Sequence, residues 1–263
     1  MSSVCLGTSG WSYADWIGPL YPPGTPPTRY LAVYAATFRS VEVDSTFYRV
    51  PTAAALEAWR TRTPEDFVFA AKVPRAITHD RPLLDAPAEL LAFAEAMRSL
   101  GPKCGPLLLQ FPPAFAAEPE TWDGFEQLLP LLPADLHFAV EVRHRSWLTE
   151  PFYALLQRYN VALVQVDLPW MPRTIPPTAN WAYLRWLGDR QDIQSDFSYA
   201  RRERKDDLAW WAAQIREMLR RGMTVYGYAN NHYQGYAPAT VQRLQLLLGF
   251  EPDLPATVQP RLL

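Results

Sequence analysis

The chain has 263 residues, 25 of them Lys or Arg and 27 Asp or Glu, for a formal net charge of −2; 49% are apolar and 20% charged. This composition excludes a disordered chain, and the near-zero charge excludes a general electrostatic pull toward nucleic acid or anionic lipid. The length suits one large domain or two small ones, with a real core, and no apolar run is long enough to span a membrane.

In chain order, short apolar runs alternate with amphipathic stretches. Residues 4–8 form the first expected strand, followed by a loop, 9–27, rich in Gly, Pro and aromatic residues, and by a helix over 28–37. Further strands are expected at 39–44, 67–73 and 106–111, at the start of the stretch 138–147, and at 161–167, 181–186 and 223–230. Helices are expected at 52–61, where Pro51 and Thr52 supply a start signal, and at 85–100, 121–132, 149–159, 206–221 and 238–248. The sixth strand has no clear helix after it; a Pro-rich loop, 169–180, stands there instead. Eight such alternations, with no phosphate-binding glycine motif after any strand, point to an α/β protein with a single (β/α)8 TIM-type barrel. The barrel is expected over 1–250, with its sixth helix weak or replaced by the loop, and a Pro-containing C-terminal tail over 251–263. The opening MSSVCLGTSGW lacks the basic and apolar regions of a signal peptide. Cys5 and Cys104 make neither a disulfide framework nor a CxxC site, so free thiols in a soluble, cytoplasmic protein are expected.

The connections are of two kinds. Those from helix to strand are short, whereas those from strand to helix (9–27, 112–120, 169–180 and 187–205) are long and rich in Pro, Trp and Tyr. In a barrel the long set lies at the C-terminal face, where chemistry is placed. The strand ends carry polar residues two apart, hence on one face: Glu42 with Asp44, Glu141 with Arg143, Gln165 with Asp167, and Arg185 after Tyr183. Lys72, Gln110, Asn230 and Asn231 end other strands. Charges buried there are costly unless they pair or meet a ligand. The expectation is one pocket at the barrel mouth lined by Glu42, Lys72, Glu141, Arg143, Asp167 and Arg185. Four carboxylates (Glu42, Asp44, Glu141, Asp167) against three bases (Lys72, Arg143, Arg185) suit a small polar substrate with an anionic group.

Glu42, Glu141 and Asp167 are the candidate acid–base groups. Lys72 joins them as a catalytic candidate; a Schiff base would need it desolvated, whereas neighbouring carboxylates favour a charged ammonium. Glycosidase chemistry would suit two carboxylates with an aromatic rim of Trp11, Tyr48, Trp147 and Trp170, although aromatics are mostly core. His79, His144 and His232 follow different strands with no HxH or HExxH spacing, so no metal and no cofactor is expected. The basic run Arg201, Arg202, Arg204 and Lys205 leads straight into Asp206–Asp207, as a solvated loop before a helix start does. Nucleic acid is therefore not the expected partner, and a nucleic-acid- or ligand-binding protein without catalysis is the alternative reading.

Several blocks carry a family resemblance. GTSGWSYADWIGPLYP (7–22), VEVDSTFYRVP (41–51), FVFAAKVPRAITH (67–79), GPLLLQFPPAF (105–115) and VEVRHRSW (140–147) resemble, in order, segments of the YecE-like proteins, known as domain of unknown function 72. The strand end at Asp167, YLRW (183–186), YANN (228–231) and GYAP (235–238) continue the match to about Leu248. The resemblance implies a TIM-type barrel without an established activity. Its motif residues fall here on Trp11, Glu42, Phe47, Tyr48, Arg49, Lys72, His79, Gln110, Glu141 and Arg143, then on His144, Trp147, Asp167, Arg185, Asn230 and Asn231. Those outside the catalytic candidates, Phe47 excepted, are expected to bind substrate. The family often has Asn where Asp44 stands, and His-Gly where this chain reads Leu187-Gly188. With carboxylates in surplus, Glu141→Gln is expected to abolish function at little cost to the fold.

Overall fold

The strands are short and apolar on both faces because each is covered twice, by the barrel interior on one side and by helices on the other. The computed structural model describes residues 3–80, 82–83 and 86–250. Through these run β1 (Val4–Ser9), α1 (Tyr30–Thr37), β2 (Ser40–Val43), α2 (Ala53–Thr61), β3 (Val68–Lys72) and α3 (Ala86–Arg98). They are followed by β4 (Cys104–Gln110), α4 (Pro119–Leu128), β5 (Phe138–Glu141), α5 (Glu150–Arg158), β6 (Ala162–Leu163) and β7 (Gln165–Asp167). The chain continues as β8 (Trp181–Trp186), α6 (Lys205–Arg220), β9 (Thr224–Ala229), α7 (Asn231–Gln234) and α8 (Ala237–Leu248). The tail expected at 251–263 lies outside the described residues.

Every pairing is parallel, in the order β6-β5-β4-β3-β2-β1-β9-β8-β7. The run 161–167, expected as one strand, is two. β6 pairs with β5 and β7 with β8, and between them the Val164 amide donates to the Val140 carbonyl at 2.9 Å. One continuous run thus serves both edges of the sheet and closes a TIM-type barrel through its own backbone, as the alternation of elements predicts. No helix forms in 168–180. Pro169, Pro172, Pro176 and Pro177 deny it amide donors, and the loop is tied down side chain by side chain. Thr178 Oγ1 accepts from the Leu163 amide and donates to the Val161 carbonyl, both at 2.7 Å, and Gln157 reaches the Pro177 carbonyl. α4 ends at Leu128 rather than near 132, passing into a tight turn at Leu129–Leu131 where Pro130 has no N–H to continue the helix.

Strand alternation sorts the side chains. Ala70, Leu108, Ala139, Val164, Val166, Tyr183 and Tyr228 pack inside the barrel, while a larger cluster fills the space between sheet and helices. Two residues beyond the inner set on β3, β4, β5, β8 and β9 stand Lys72, Gln110, Glu141, Arg185 and Asn230, which therefore share the inner face toward the C-terminal mouth. Among the described residues no helix is long and apolar enough to cross a membrane, and Cys5 and Cys104 are free thiols.

The seam between β1 and β2 depends on Gly7. A Cβ there would lie 1.9 Å from the Ser40 carbonyl oxygen, which also accepts the Tyr34 hydroxyl. Because the obstacle is backbone, Gly7→Ala is expected to cost about 3 kcal/mol or more. Thermal unfolding should show it as a melting temperature roughly 6–12 degrees lower.

Candidate functional site

The centre of the mouth is a guanidinium. Arg185, 3% exposed at the end of β8, donates from Nη2 to Glu42 Oε1 and from Nη1 to Glu141 Oε2, both at 2.6 Å. Neither carboxylate has any solvent exposure. Glu42 also accepts from Ser9 Oγ (2.8 Å) and from the Tyr183 hydroxyl (2.7 Å), and Glu141 accepts from Arg143 Nε (2.7 Å). Charge-assisted bonds of this length are strong, and they hold β1, β2, β5 and β8 in one arrangement across the barrel. Burial alone would raise the Glu141 carboxyl, but Arg185 and Arg143 outweigh it and hold it down at about 2. Glu141 is therefore a fixed anion at neutral pH and not a proton donor.

Above this layer opens a cavity of about 620 Å³. Lys72, Gln110, Arg143, Arg185 and Asn230 contribute its floor and walls, joined by Asp44, Phe47, His79 and Arg75. Tyr48 (74% exposed) and Trp170 (42% exposed) stand at its rim with Pro112 and Pro113, and Leu187, Asp189, Arg190 and Gln191 of the loop after β8 also line it. Lys72 Nζ lies 3.9 Å over the Phe47 ring, whose edge meets His79. Burial and the Arg185 charge pull the Lys72 ammonium down to about 8, against a smaller upward pull from Asp44, Glu141 and Glu42. Burial, then Glu42, raises the Asp44 carboxyl, with Arg185, Lys72 and Arg190 opposing. Burial together with Lys72, Arg143 and Arg75 lowers His79 to about 4, so its imidazole is neutral at pH 7.

Several expected site residues are elsewhere. Asp167 points outward: Val164, Val166 and Leu168 take the inner face, and Asp167 accepts from Trp211 Nε1 and the Tyr233 hydroxyl, each at 2.8 Å, and pairs with Arg173. The inner face of that strand is its apolar one because two rings of the helix layer need an acceptor beneath them. Trp147 is fully buried, stacked on Phe115 and Trp122, with its indole N–H on the Phe115 carbonyl. Trp11 packs edge-on against Trp59, and Asn231 Oδ1 accepts the Ala237 amide at the start of α8. His144 is exposed and bonded to Ser146, and Arg49 is exposed outside the cavity. Glu42 and Glu141 sit beneath the pocket and reach it through Arg185. With Asp167 gone from the mouth, the surplus of carboxylates on which a harmless Glu141→Gln rested is gone too.

The pocket residues not expected are Arg75, Asp189, Arg190 and Gln191, on loops whose course no strand period reveals. Asp44 was legible, since it stands two residues after Glu42 on the same face. Arg201, Arg202 and Arg204, the basic run, pair with Asp196, Asp192 and Asp207. Among the described residues no three His, Cys, Asp or Glu side chains are grouped so as to hold a metal ion.

The family model described as protein of unknown function DUF72 matches residues 5–262. The chain belongs to this family. It is 27% identical to the YunF protein of Bacillus subtilis, a UPF0759 protein, over 94% of this chain and 95% of that one. The YecE protein of Escherichia coli K12, also of UPF0759, is 30% identical over 54% of this chain and 48% of its own. A DUF72 family crystal structure from Thermotoga maritima superposes with a TM-score of 0.78 at 28% identity, over 94% of this chain and 99% of that one. D-psicose 3-epimerase of Clostridium cellulolyticum H10, with D-tagatose, shares the fold at a TM-score of 0.53 and 10% identity, over 90% and 89% of the two chains.

Two outcomes follow for this DUF72 protein. Glu141→Gln leaves Arg185 with Glu42 but strips Arg143 of its charged partner, so a loss of about 2–4 kcal/mol is expected, or a melting temperature roughly 4–16 degrees lower. Because the Glu141 carboxyl is depressed in the fold, its contribution is full above about pH 5 and fades as the pH falls toward 2, so melts of mutant and wild type should converge over that window. Asp167→Asn, which leaves Trp211, Tyr233 and Arg173 with a weaker acceptor, should destabilise by about 1–3 kcal/mol in denaturant titrations and leave binding in the pocket unchanged.

Proposed function

We propose that this DUF72 protein is an enzyme that performs acid–base chemistry on a small polar molecule bearing an anionic group. In this reading Lys72 and Asp44 exchange protons with the substrate. Arg143, Arg185 and Arg190 hold the negative charge, and Gln110 and Asn230 orient the polar remainder. Glu42 and Glu141 set the position and charge of Arg185 without touching substrate.

One observation carries the reading. Lys72 and Asp44 both line the cavity, and among the described residues neither side chain is hydrogen-bonded or ion-paired, whereas the carboxylates around them are fully engaged. Their environment moves the two groups toward each other, the ammonium down to about 8 and the carboxyl up. A pair poised in this way can donate and accept protons near neutral pH, which a carboxylate locked to arginine cannot. The arginines suit carboxylate or phosphate oxygens better than they suit a neutral sugar.

Screening turnover of small phosphate- and carboxylate-bearing compounds would test the assignment. Lys72→Arg should lower kcat/KM by about 10²–10⁴-fold while keeping the charge. The wild-type profile should show a limb near pH 8 that Lys72→Arg removes. A limb that stays at the same pH in the mutant would place the proton-transferring group elsewhere. Binding without any turnover would make the protein a receptor for such anions.

A further inference from the structure

We infer that Lys72 is a nucleophile that forms an imine with a small carbonyl compound carrying an anionic group. The inference rests on the pocket reading above and goes further in assigning covalent chemistry to one atom.

The chain uses lysine sparingly: among its 25 basic residues only Lys72, Lys103 and Lys205 are lysines. Lys103 is structural. It is buried, and its Nζ donates to the Arg60 carbonyl (2.6 Å), the Thr63 carbonyl (2.7 Å) and Thr63 Oγ1 (3.1 Å), which uses all three ammonium protons. Lys205 is exposed at the first position of α6. Lys72 fits neither pattern. The other cations around the cavity are arginines, which already provide for anion binding and cannot act as nucleophiles, so a lone primary amine among them adds a different chemistry.

Its surroundings suit that chemistry. Of the carboxylates that would keep Lys72 charged, Glu42 and Glu141 spend their oxygens on Arg185, Arg143, Ser9 and Tyr183, and Asp44, the first of the upward pulls, is itself moved toward its neutral form by burial and Glu42. Lys72 Nζ rests instead on the face of Phe47, with no ion pair among the described residues. With its ammonium brought down to about 8, Lys72 offers far more free amine at pH 7 than an ordinary lysine does. The amine lone pair attacks the carbonyl carbon, forming the C–N bond, and the carbonyl oxygen takes up a proton to give a carbinolamine. The nitrogen loses a proton, and the hydroxyl, protonated a second time, leaves as water. The product is a protonated imine: amine, carbonyl and one proton in, iminium and water out. Asp44, which lines the same cavity from the end of the neighbouring strand β2 and has its carboxyl raised, is the group to hand protons to the departing oxygen.

The test is reductive trapping on the full chain, with pyruvate and with pyridoxal 5′-phosphate as separate probes, each with sodium borohydride at pH 7. Peptide mass spectrometry then locates the secondary amine. A reduced adduct on Lys72, formed at least ten-fold faster than on exposed Lys205 and slowed by inorganic phosphate, is the expected result, and Lys72→Arg should abolish it. The ratio of the two lysines within the wild-type chain decides the matter even if that variant folds poorly. No adduct on Lys72 with either probe, or one formed no faster than on Lys205, overturns the inference. Pyruvate or phosphate that raises the melting temperature without trapping would sink the imine alone. Failure of both to bind and to trap would sink the anion pocket with it.

Discussion

Everything at the mouth of this barrel depends on one arginine shared between two carboxylates. Arg185 lies between Glu42 and Glu141, and all three are buried beyond the reach of solvent or nearly so. Taking three such ions out of water costs several kcal/mol apiece, and only short, well-aimed bonds to every available oxygen make the arrangement tolerable. Ser9, Tyr183 and Arg143 supply the remaining bonds, so strands far apart in sequence must meet with their ends level. The same bonds decide which groups remain for a ligand. The carboxylates that look most like catalysts are used up, and among the described residues the cavity wall keeps Lys72, Asp44 and Arg190 without a side-chain hydrogen bond or ion pair.

A second polar cluster does a different task on the outside of the barrel. The loop after β7 has no helix to cover its strand, and Asp167 compensates by collecting Trp211 of α6, Tyr233 of α7 and Arg173 of the loop itself. Arg173 in turn reaches Asp207 at the start of α6. A carboxylate bonded to two aromatic N–H and O–H groups and an arginine acts as the joint between loop and helices. The residues before and after it, Val166 and Leu168, are thereby turned into the barrel, where Leu168 becomes part of the pocket wall.

The aromatic residues divide along the same line. Trp147 lies inside a cluster with Phe115, Trp122, Phe125 and Phe152 that seals the barrel to its helices. Tyr48 and Trp170 instead stay exposed at the rim. A short aromatic spacing reads the same in both cases, because burial depends on which helix arrives opposite and not on the residues adjacent in the chain.

The residues alone settle the alternation of strands and helices, the long loops at one face, and the sharing of one strand face by Glu42 with Asp44, Glu141 with Arg143 and Tyr183 with Arg185. These follow from local period and from the parity of residues along a strand, which need no knowledge of distant contacts. The replacement of the sixth helix was legible as well, since four prolines forbid it wherever the segment is placed. The division of the sixth strand at Val164 and the outward turn of Asp167 come from the closed barrel and its helices. Parity says that Val166 and Asp167 lie on opposite faces but not which face is inside, and that choice was made by Trp211 and Tyr233, far along the chain. The barrel's closure likewise decides that Arg185 binds Glu42 and Glu141 while Lys72 binds neither. Pairing among charges that converge on one point is settled by distances of a few tenths of an ångström, which only the closed barrel defines.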